Sequence, residues 1–312
     1  MKKIILAGGS GFLGTALAAH FQKLGYEIVI PTRSPQLTSG GRIREVGWDA
    51  KTLGAWADEL EGADAVVNLT GKSVNCRYTA QNQKEIIDSR VNSTRVVGEA
   101  IAKCKEPPRV WLNSSSATIY KHSFDKPMDE SSETGATPEA KDEFSIEVIR
   151  EWERALDKVQ TARTRKVAMR TSMVLGNAKN SVVPVLRRLA RFGLGGKMGS
   201  GRQFVSWIHQ DDFCSAVEWI IAHENLSGHV NMTASNPLPN REMMKIFRKV
   251  FGAPFGLPAT EWMLEIGAFI MRTETELIIK SRRVVPRRLT ESGFKFRFPN
   301  FEDAIKHLAA EQ

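Results

Sequence analysis

Three glycines spaced three residues apart are the first feature of the chain that could do chemistry. Gly8, Gly11 and Gly14 follow a short apolar run and precede a segment with helical spacing. In such a loop the first glycine permits a tight turn, the second lets the backbone approach a pyrophosphate, and the third lets the helix pack closely. The helix N-terminus adds N–H groups and a partial positive charge. The spacing therefore predicts a dinucleotide-binding loop formed by Gly8, Ser10, Gly11, Phe12, Leu13 and Gly14.

The residues after the second predicted strand bear on which dinucleotide this loop would bind. Sheets that bind NAD usually place an acidic residue there, about 20 residues past the loop, to hold the ribose 2′-hydroxyl. This sequence has Thr32-Arg33 instead. A carboxylate would repel a 2′-phosphate, whereas Arg33 would bind it through charge-assisted hydrogen bonds. We therefore predict NADP(H) as the cofactor; the alternative is a surface arginine that simply follows a strand.

The elements that must position the loop alternate between apolar runs and segments with helical spacing. This alternation predicts right-handed crossovers and an α/β fold, a doubly wound parallel Rossmann sheet. After residue 232, prolines punctuate short helical stretches, which predicts a smaller, mostly helical C-terminal lobe. We expect an NADP-binding domain over residues 1–232 and a substrate-side domain over residues 233–312. The predicted strands are Lys3–Ala7, Glu27–Pro31, Ile43–Trp48, Ala65–Leu69, Val110–Asn113, Lys166–Leu175 and His229–Met232.

Several later motifs carry a family resemblance. With the glycine loop, the runs Asn68–Gly71 and Ser114–Tyr120 resemble the extended short-chain dehydrogenase/reductase superfamily of the nucleoside-diphosphate-sugar epimerase type. The chain is most similar to the atypical "epimerase family protein" branch, whose C-terminal lobe is a domain of unknown function. The motifs that match this branch include Arg77-Tyr78, Lys84-Glu85, Ser89-Arg90, Trp152-Glu153, Arg170, Trp207-Ile208-His209 and Val284-Val285-Pro286.

The resemblance implies a set of site residues. Ser116 lies where the superfamily keeps its catalytic serine or threonine. Two positions depart from the branch pattern: Tyr78 replaces a usual tryptophan, and Lys121-His122 replaces an aromatic-glycine pair. Besides the glycine loop, the implied cofactor contacts are Thr32, Arg33, Leu69, Thr70, Glu85, Arg90 and Val174.

A larger departure concerns proton transfer. Reductases and epimerases of this superfamily use a Tyr-x-x-x-Lys pair, in which the lysine and the cofactor lower the pKa of the tyrosine. None of the three tyrosines here has a lysine four positions later, and the corresponding positions carry Ser145 and Ile149. If the chain is an enzyme, Tyr120 is a candidate proton donor beside Ser116. The predicted function is an NADP(H)-binding, epimerase-like oxidoreductase of unknown substrate; the alternative is a non-catalytic NADP(H)-sensing or protein-interaction module.

Other kinds of site receive less support. His209, Asp211 and Asp212 have suitable types for a metal site, but in the resembled family this segment starts a helix, where an aspartate is a capping residue. We therefore expect no metal. A Ser-His-Asp hydrolase would need a G-x-S-x-G turn, which the sequence lacks.

Composition and charge limit the classes of partner and the cellular compartment that we expect for this protein. The chain has 312 residues, with 44 basic against 35 acidic side chains and a net charge of +9. Basic clusters are not interleaved with aromatic residues as in nucleic-acid-binding proteins, so we expect solvated helix faces and no nucleic acid. No apolar run approaches the ~18–20 residues of a membrane helix. Cys76, Cys104 and Cys214 form neither a disulfide framework nor a metal-binding pair. We expect a cytoplasmic protein that binds a small molecule.

Overall fold

A seven-stranded parallel sheet forms the centre of the protein. The computed structural model describes residues 2–36, 41–179, 181–260, 262–263 and 280–311. The strands of this sheet are β1 (Lys3–Ala7), β2 (Glu27–Thr32), β3 (Ile43–Gly47), β4 (Ala65–Asn68), β5 (Val110–Ser116), β6 (Arg165–Thr171) and β10 (Gly228–Met232). Their order is β10-β6-β5-β4-β1-β2-β3, and every neighbouring pair is parallel. The predicted doubly wound α/β fold is confirmed.

The two faces of the sheet are covered by different helices because successive strand residues point to opposite sides. In β1, Ile4 and Leu6 join one apolar core, whereas Ile5 and Ala7 join the other. The helices are α1 (Phe12–Lys23), α2 (Ala80–Lys103), α3 (Glu143–Lys158), α4 (Val182–Arg191), α5 (Gln210–Ala222), α6 (Asn240–Val250), α7 (Arg287–Glu291) and α8 (Phe301–Ala310). Helices α1 and α5 cover the first face, and α2 and α3 cover the second.

A separate apolar core lies beside the sheet. The prediction of one strand over Lys166–Leu175 is wrong, because the chain leaves the sheet at Ser172, whose N–H and hydroxyl both bind the Met232 carbonyl oxygen. Beyond that break, β7 (Met173–Leu175) pairs with β9 (Trp207–His209), and β8 (Phe204–Val205) pairs with β11 (Leu238–Pro239). Their buried side chains pack with those of α4, α6 and α8.

The described part of the C-terminal region contains three helices, joined by loops and the short strand β11. Helices α6, α7 and α8 belong to it, while residue 261 and residues 264–279 of the predicted lobe lie outside the described residues. The separate core draws on residues from both sides of position 232, since Leu175 and Trp207 pack there with Phe247 and Phe301. Among the described helices, none is both long and apolar enough to cross a membrane.

Candidate functional site

A cleft of about 490 Å³ opens at the carboxyl end of the sheet. It lies where β1 and β4 are neighbours, so that the chain leaves one strand toward β2 and the other toward β5. Open α/β sheets bind ligands at such a switch point. Eight of the predicted site residues line this cleft: Gly8, Gly11, Phe12, Leu13, Gly14, Leu69, Arg90 and Ser116.

The glycine loop has the geometry of a phosphate-binding turn. Gly8 has φ +79°, and a Cβ there would lie 3.0 Å from the backbone of Leu69 and Thr70. A Cβ on Gly11 would meet only the Gly8 carbonyl oxygen at 3.6 Å, so its free side faces open space. Gly11 is also the N-cap of α1, and no side chain caps that helix end. The predicted contact Ser10 is exposed at the loop tip.

At Gly14 the absence of a side chain allows helix α1 to pack closely against the loop, besides leaving room for a ligand. A Cβ at this position would lie 2.3 Å from the Gly9 Cα and 2.6 Å from its carbonyl oxygen. The first turn of α1 therefore lies directly against the loop backbone, which holds the helix N-terminus at the cleft.

The predicted cofactor-selecting residues lie at the end of β2. Thr32 is the last residue of that strand, and Arg33 follows it with an exposed side chain. Within the described ranges the Arg33 guanidinium makes no hydrogen bond or ion pair. An arginine held at the carboxyl end of β2 with its donors available meets the requirement for binding a 2′-phosphate.

Thr70 provides a second polar group at the switch point. Its N–H donates to the Asn68 side-chain oxygen at 3.1 Å. Its hydroxyl oxygen is buried and has no hydrogen-bond partner among the described residues. Buried polar groups normally have a partner, so this hydroxyl is an exception, and Thr70 itself is not among the residues that line the cleft.

Glu85 and Arg90 occupy different positions relative to the cleft. Glu85 is half-buried and binds Lys72, a lining residue that the sequence analysis missed. Arg90 donates to the carbonyl oxygens of Lys72 and Ile86, both at 3.0 Å, and its guanidinium lies 4.9 Å from the Trp152 ring centre. Burial lowers the pKa of Arg90 to about 10. Glu85 does not line the cleft itself, and its contact with the cleft is the ion pair with the lining residue Lys72.

Val174 lies outside the cleft lining. It is the middle residue of β7 and packs, partly buried, against the core beneath α1 and α5. Leu13 and Leu69, two predicted cofactor contacts that do line the cleft, pack against the same core.

Ser116 ends β5 at the floor of the cleft and is paired with a second hydroxyl. Its Oγ accepts from the Thr118 N–H at 3.2 Å, and the two hydroxyl oxygens lie 3.1 Å apart. Thr118 also lines the cleft and was missed by the sequence analysis, although it lies within the run Ser114–Tyr120 that carried the resemblance. Ser145 and Ile149 line the cleft as well, on α3.

Tyr120 is placed differently from the other candidate catalytic residue. Its side chain is fully buried and is not part of the cleft lining. Its hydroxyl donates to the Asn231 side-chain oxygen at 2.7 Å and accepts from Arg170 at 3.2 Å. Burial raises the pKa of Tyr120 above its ordinary value, against the opposing effect of Arg170. Both hydrogen bonds tie the hydroxyl to the protein interior.

The His209 segment starts a helix. His209 is the N-cap of α5, and its Nδ1 accepts from the Asp211 N–H at 3.1 Å. Asp212 accepts from the N–H groups of Arg297 and Phe298 at 2.7 and 2.9 Å, so its carboxylate joins α5 to the C-terminal region. Ligand-type atoms of His209, Asp211 and His307 lie within 4.8 Å of one another. Nδ1 of His209 is used in capping, whereas its Nε2 is buried without a hydrogen-bond partner among the described residues.

Comparisons with known proteins agree with the fold and the cleft. Residues 4–233 match the NAD dependent epimerase/dehydratase family, and residues 259–308 match a domain of unknown function, DUF1731. The epimerase family protein YfhF of Bacillus subtilis is 30% identical over 309 residues, which cover 99% of this chain and 98% of that protein.

Two solved structures are also similar. Human epimerase family protein SDR39U1 (isoform 2), crystallised with NADPH, has a TM-score of 0.84 and 26% identity, covering 99% of this chain and 100% of that chain. A nucleoside-diphosphate sugar epimerase from Corynebacterium glutamicum has a TM-score of 0.78 and 29% identity, covering 100% of this chain but 59% of that chain.

Proposed function

Since the chain belongs to the NAD dependent epimerase/dehydratase family, we propose that it binds NADP(H) in the cleft and transfers hydride between that cofactor and a small molecule. The observation that carries this proposal is the arrangement of the glycine loop and Arg33 at the same edge of the sheet. The glycine loop supplies backbone N–H groups for a pyrophosphate, and Arg33 supplies charge for a 2′-phosphate. The human relative crystallised with NADPH supports the choice of cofactor.

The other cofactor contacts follow from the same edge. Leu69 and Thr70 follow β4, and the resemblance assigns them to the adenosine and ribose side of the cofactor. Arg90 lines the cleft beside Gly71, and Glu85 binds Lys72. Val174 is assigned to the nicotinamide side by the resemblance alone.

NADPH, when bound, would supply the hydride, and the chain would supply the contact to the substrate oxygen. Ser116 is the candidate for that contact because its hydroxyl lines the cleft at the end of β5. Tyr120 is a weaker candidate, since its hydroxyl is buried and bound to Asn231 and Arg170. A substrate proton would therefore come from water or from the substrate itself.

Titration of the protein with NADPH and NADH, followed by the change in nucleotide fluorescence, tests the binding step. We expect NADPH to bind more tightly, and equal affinities would contradict the assignment of Arg33. Incubation of the NADPH complex with a panel of aldehydes, ketones and quinones then tests for turnover.

A second function is favoured by one observation. Ser145 and Ile149 line the cleft, and the resemblance assigns to these two positions the tyrosine and lysine of the usual proton-transfer pair. A protein with an intact cofactor cleft and no such pair could act as an NADP(H) sensor or interaction module. NADPH binding without oxidation by any member of the panel would favour this alternative.

The division into an NADP-binding domain (residues 1–232) and a substrate-side domain (residues 233–312) is part of the same proposal. Residues of the second region reach the cleft floor, as the contact between Lys280 and Thr118 illustrates. A cytoplasmic location is also proposed, and the three unpaired cysteines suit a reducing compartment.

A further inference from the structure

The hydroxyl of Thr118 is held by an arginine from the C-terminal region. Arg282 Nη1 donates to Thr118 Oγ1, although the two residues are 164 positions apart. Lys280 Nζ donates to the Thr118 carbonyl oxygen at 2.7 Å and forms an ion pair with Asp142, in which both side chains are almost completely buried. Two cationic side chains of one segment therefore contact the same cleft-lining residue.

The backbone around Arg282 is anchored to several neighbours. Its N–H donates to the Phe204 carbonyl oxygen at 3.0 Å, and its carbonyl oxygen accepts from the Ser206 hydroxyl at 2.7 Å. The preceding Ser281 N–H donates to His122 Nδ1 at 3.0 Å. His122, one of the two departures from the branch pattern, thus helps to hold the arginine in place. The guanidinium is positioned by the fold rather than by its contact with Thr118 alone.

The Ser116–Thr118 pair has one hydroxyl proton that can be donated in a hydrogen bond to a ligand in the cleft. The two oxygens lie 3.1 Å apart and share one proton between them. Whichever oxygen donates that proton, the other hydroxyl keeps its own proton, and both residues line the cleft. Because Arg282 is always charged, its bond to Thr118 withdraws electron density from the pair and strengthens the remaining hydroxyl as a donor.

Part of the cleft wall is apolar and aromatic. Ile149 is buried where the superfamily places a lysine. Phe144 and Tyr78 both line the cleft, with ring centres 4.7 Å apart and an edge-to-face arrangement. The lining also contains polar side chains, among them Lys72, Ser73 and Arg90. The aromatic side chains therefore favour a flat conjugated ring without excluding polar substituents on it.

We propose that the Ser116–Thr118 hydroxyl pair, polarised by Arg282, is the oxyanion-binding site of this cleft. The substrate of the protein is then a conjugated carbonyl compound of the quinone type. Arg282 is a positioning residue that acts through Thr118. The proposal rests on the proposed function, in which Ser116 contacts the substrate oxygen.

The chemistry of the product explains the restriction to conjugated acceptors. Reduction of an isolated ketone produces an alkoxide, which needs a full proton from a strong donor. Reduction of a quinone produces a phenolate, whose conjugate acid has a pKa of about 10, as in tyrosine. A hydrogen-bonding hydroxyl pair stabilises a phenolate without giving up its proton.

The proposed reaction balances with NADPH as the hydride donor. The quinone gains a hydride with its electron pair and becomes a hydroquinone monoanion, while NADPH is oxidised to NADP⁺. One proton from water then converts the monoanion into the hydroquinone.

The test uses a probe that reports ionisation by its colour and needs no turnover. Para-nitrophenol is added to the full-length protein saturated with NADP⁺, and its absorbance is recorded at a pH at which the free probe is half ionised. We expect the bound probe to be ionised to a greater extent, with an equilibrium shifted by about tenfold, the effect of one hydrogen bond to a charged group. A probe that does not bind, or whose ionisation is unchanged, overturns the proposal.

Variants then assign the effect to Arg282. Arg282→Gln and Thr118→Val should abolish most of the shift, and Thr118→Ser, which keeps a hydroxyl, should retain it. Arg283→Gln is the matched control, because Arg283 donates to the Asp125 carbonyl oxygen and lies over the Phe204 ring. Equal shifts in the Arg282 and Arg283 variants would contradict the role of Arg282.

A second arm compares substrates. NADPH oxidation by a naphthoquinone should exceed that by cyclohexanone, and equal rates overturn the substrate class. Failure of the protein to bind NADP⁺ at the outset would instead contradict the proposed function, so the two failures are distinguishable.

Discussion

Arg170 and Glu153 are joined in the protein interior by two parallel hydrogen bonds, Nε to Oε1 at 2.9 Å and Nη2 to Oε2 at 2.8 Å. The Ser115 hydroxyl and the His229 ring also contact this carboxylate, at 2.6 and 3.2 Å. The pair connects α3 to β6, and its partners lie on β5 and β10. One carboxylate thus ties together a helix and three strands.

This pair predicts a loss of stability in acid. Burial alone would raise the pKa of Glu153, but the hydrogen bonds from Arg170, His229 and Ser115 outweigh it and lower the pKa to about 2. A carboxyl with a depressed pKa in the folded state stabilises the protein above its unfolded pKa of about 4.3 and loses that contribution as the pH falls toward 2. Glu153→Gln should lower the free energy of unfolding at neutral pH by about 3–5 kcal/mol. Urea unfolding from pH 7 to pH 2 checks this, and a pH dependence identical in wild type and variant would contradict it.

Arg33→Ala should remove most of the preference for NADPH over NADH. The loss of a hydrogen bond to a charged phosphate is worth about 1.5–3 kcal/mol, or roughly 10–150-fold in affinity. Fluorescence titration with both nucleotides measures it, and Arg42→Ala serves as the control, because Arg42 immediately precedes β3 and so lies at the opposite, amino end of the parallel sheet. An unchanged NADPH/NADH ratio in Arg33→Ala would show that another residue selects the cofactor.

Gly11→Val should lose dinucleotide binding, whereas Gly14→Ala should lose stability. A side chain at Gly11 projects into open space, so we expect the variant to fold normally and to lose dinucleotide binding. A Cβ at Gly14 overlaps the Gly9 backbone, so we expect destabilisation by about 1–3 kcal/mol. Thermal unfolding with and without NADPH separates the two. Normal NADPH binding by Gly11→Val would mean that the loop is only a connection.

Tyr120→Phe should reduce stability without affecting chemistry. The substitution leaves the buried Asn231 oxygen without its donor, at a cost of about 1–3 kcal/mol. Since the hydroxyl lies outside the cleft lining, NADPH affinity and any turnover should remain within about twofold of wild type, well below the 10²–10⁴-fold effect of a general acid. A loss of turnover in a variant that still binds NADPH would restore Tyr120 as the proton donor.

Installing Ser145→Tyr together with Ile149→Lys tests whether the missing pair is what limits ordinary carbonyl reduction. Both positions line the cleft, so the double variant should gain reduction of an aliphatic ketone if the rest of the site is competent. General acid–base catalysis contributes about 10²–10⁴-fold. The single variants are controls, since neither supplies the pair. No gain, with NADPH still bound, would favour the sensing or interaction function.

Features set by local pattern could be predicted, whereas contacts between distant segments could not. The apolar run of β1 and the glycine spacing are properties of adjacent residues, and both could be recognised in the sequence. The break in the strand at Ser172 depends on a hydrogen bond to Met232, and a contact between such distant residues cannot be predicted from a local sequence pattern. Thr118 was missed because its importance comes from Arg282, and a sequence contains many possible pairs of a hydroxyl and an arginine.

The dinucleotide loop and the hydroxyl pair become complete at different times in the life of the chain. Thr118 precedes Arg282 by 164 positions, and at about 5–20 residues per second the ribosome needs roughly 8–33 s to synthesise that interval. A nascent chain therefore carries its glycine loop and strands β1 to β6 well before the arginine exists. During this interval the hydroxyl pair has no guanidinium to polarise it, so a partly synthesised chain contains the glycine loop but not the complete oxyanion site.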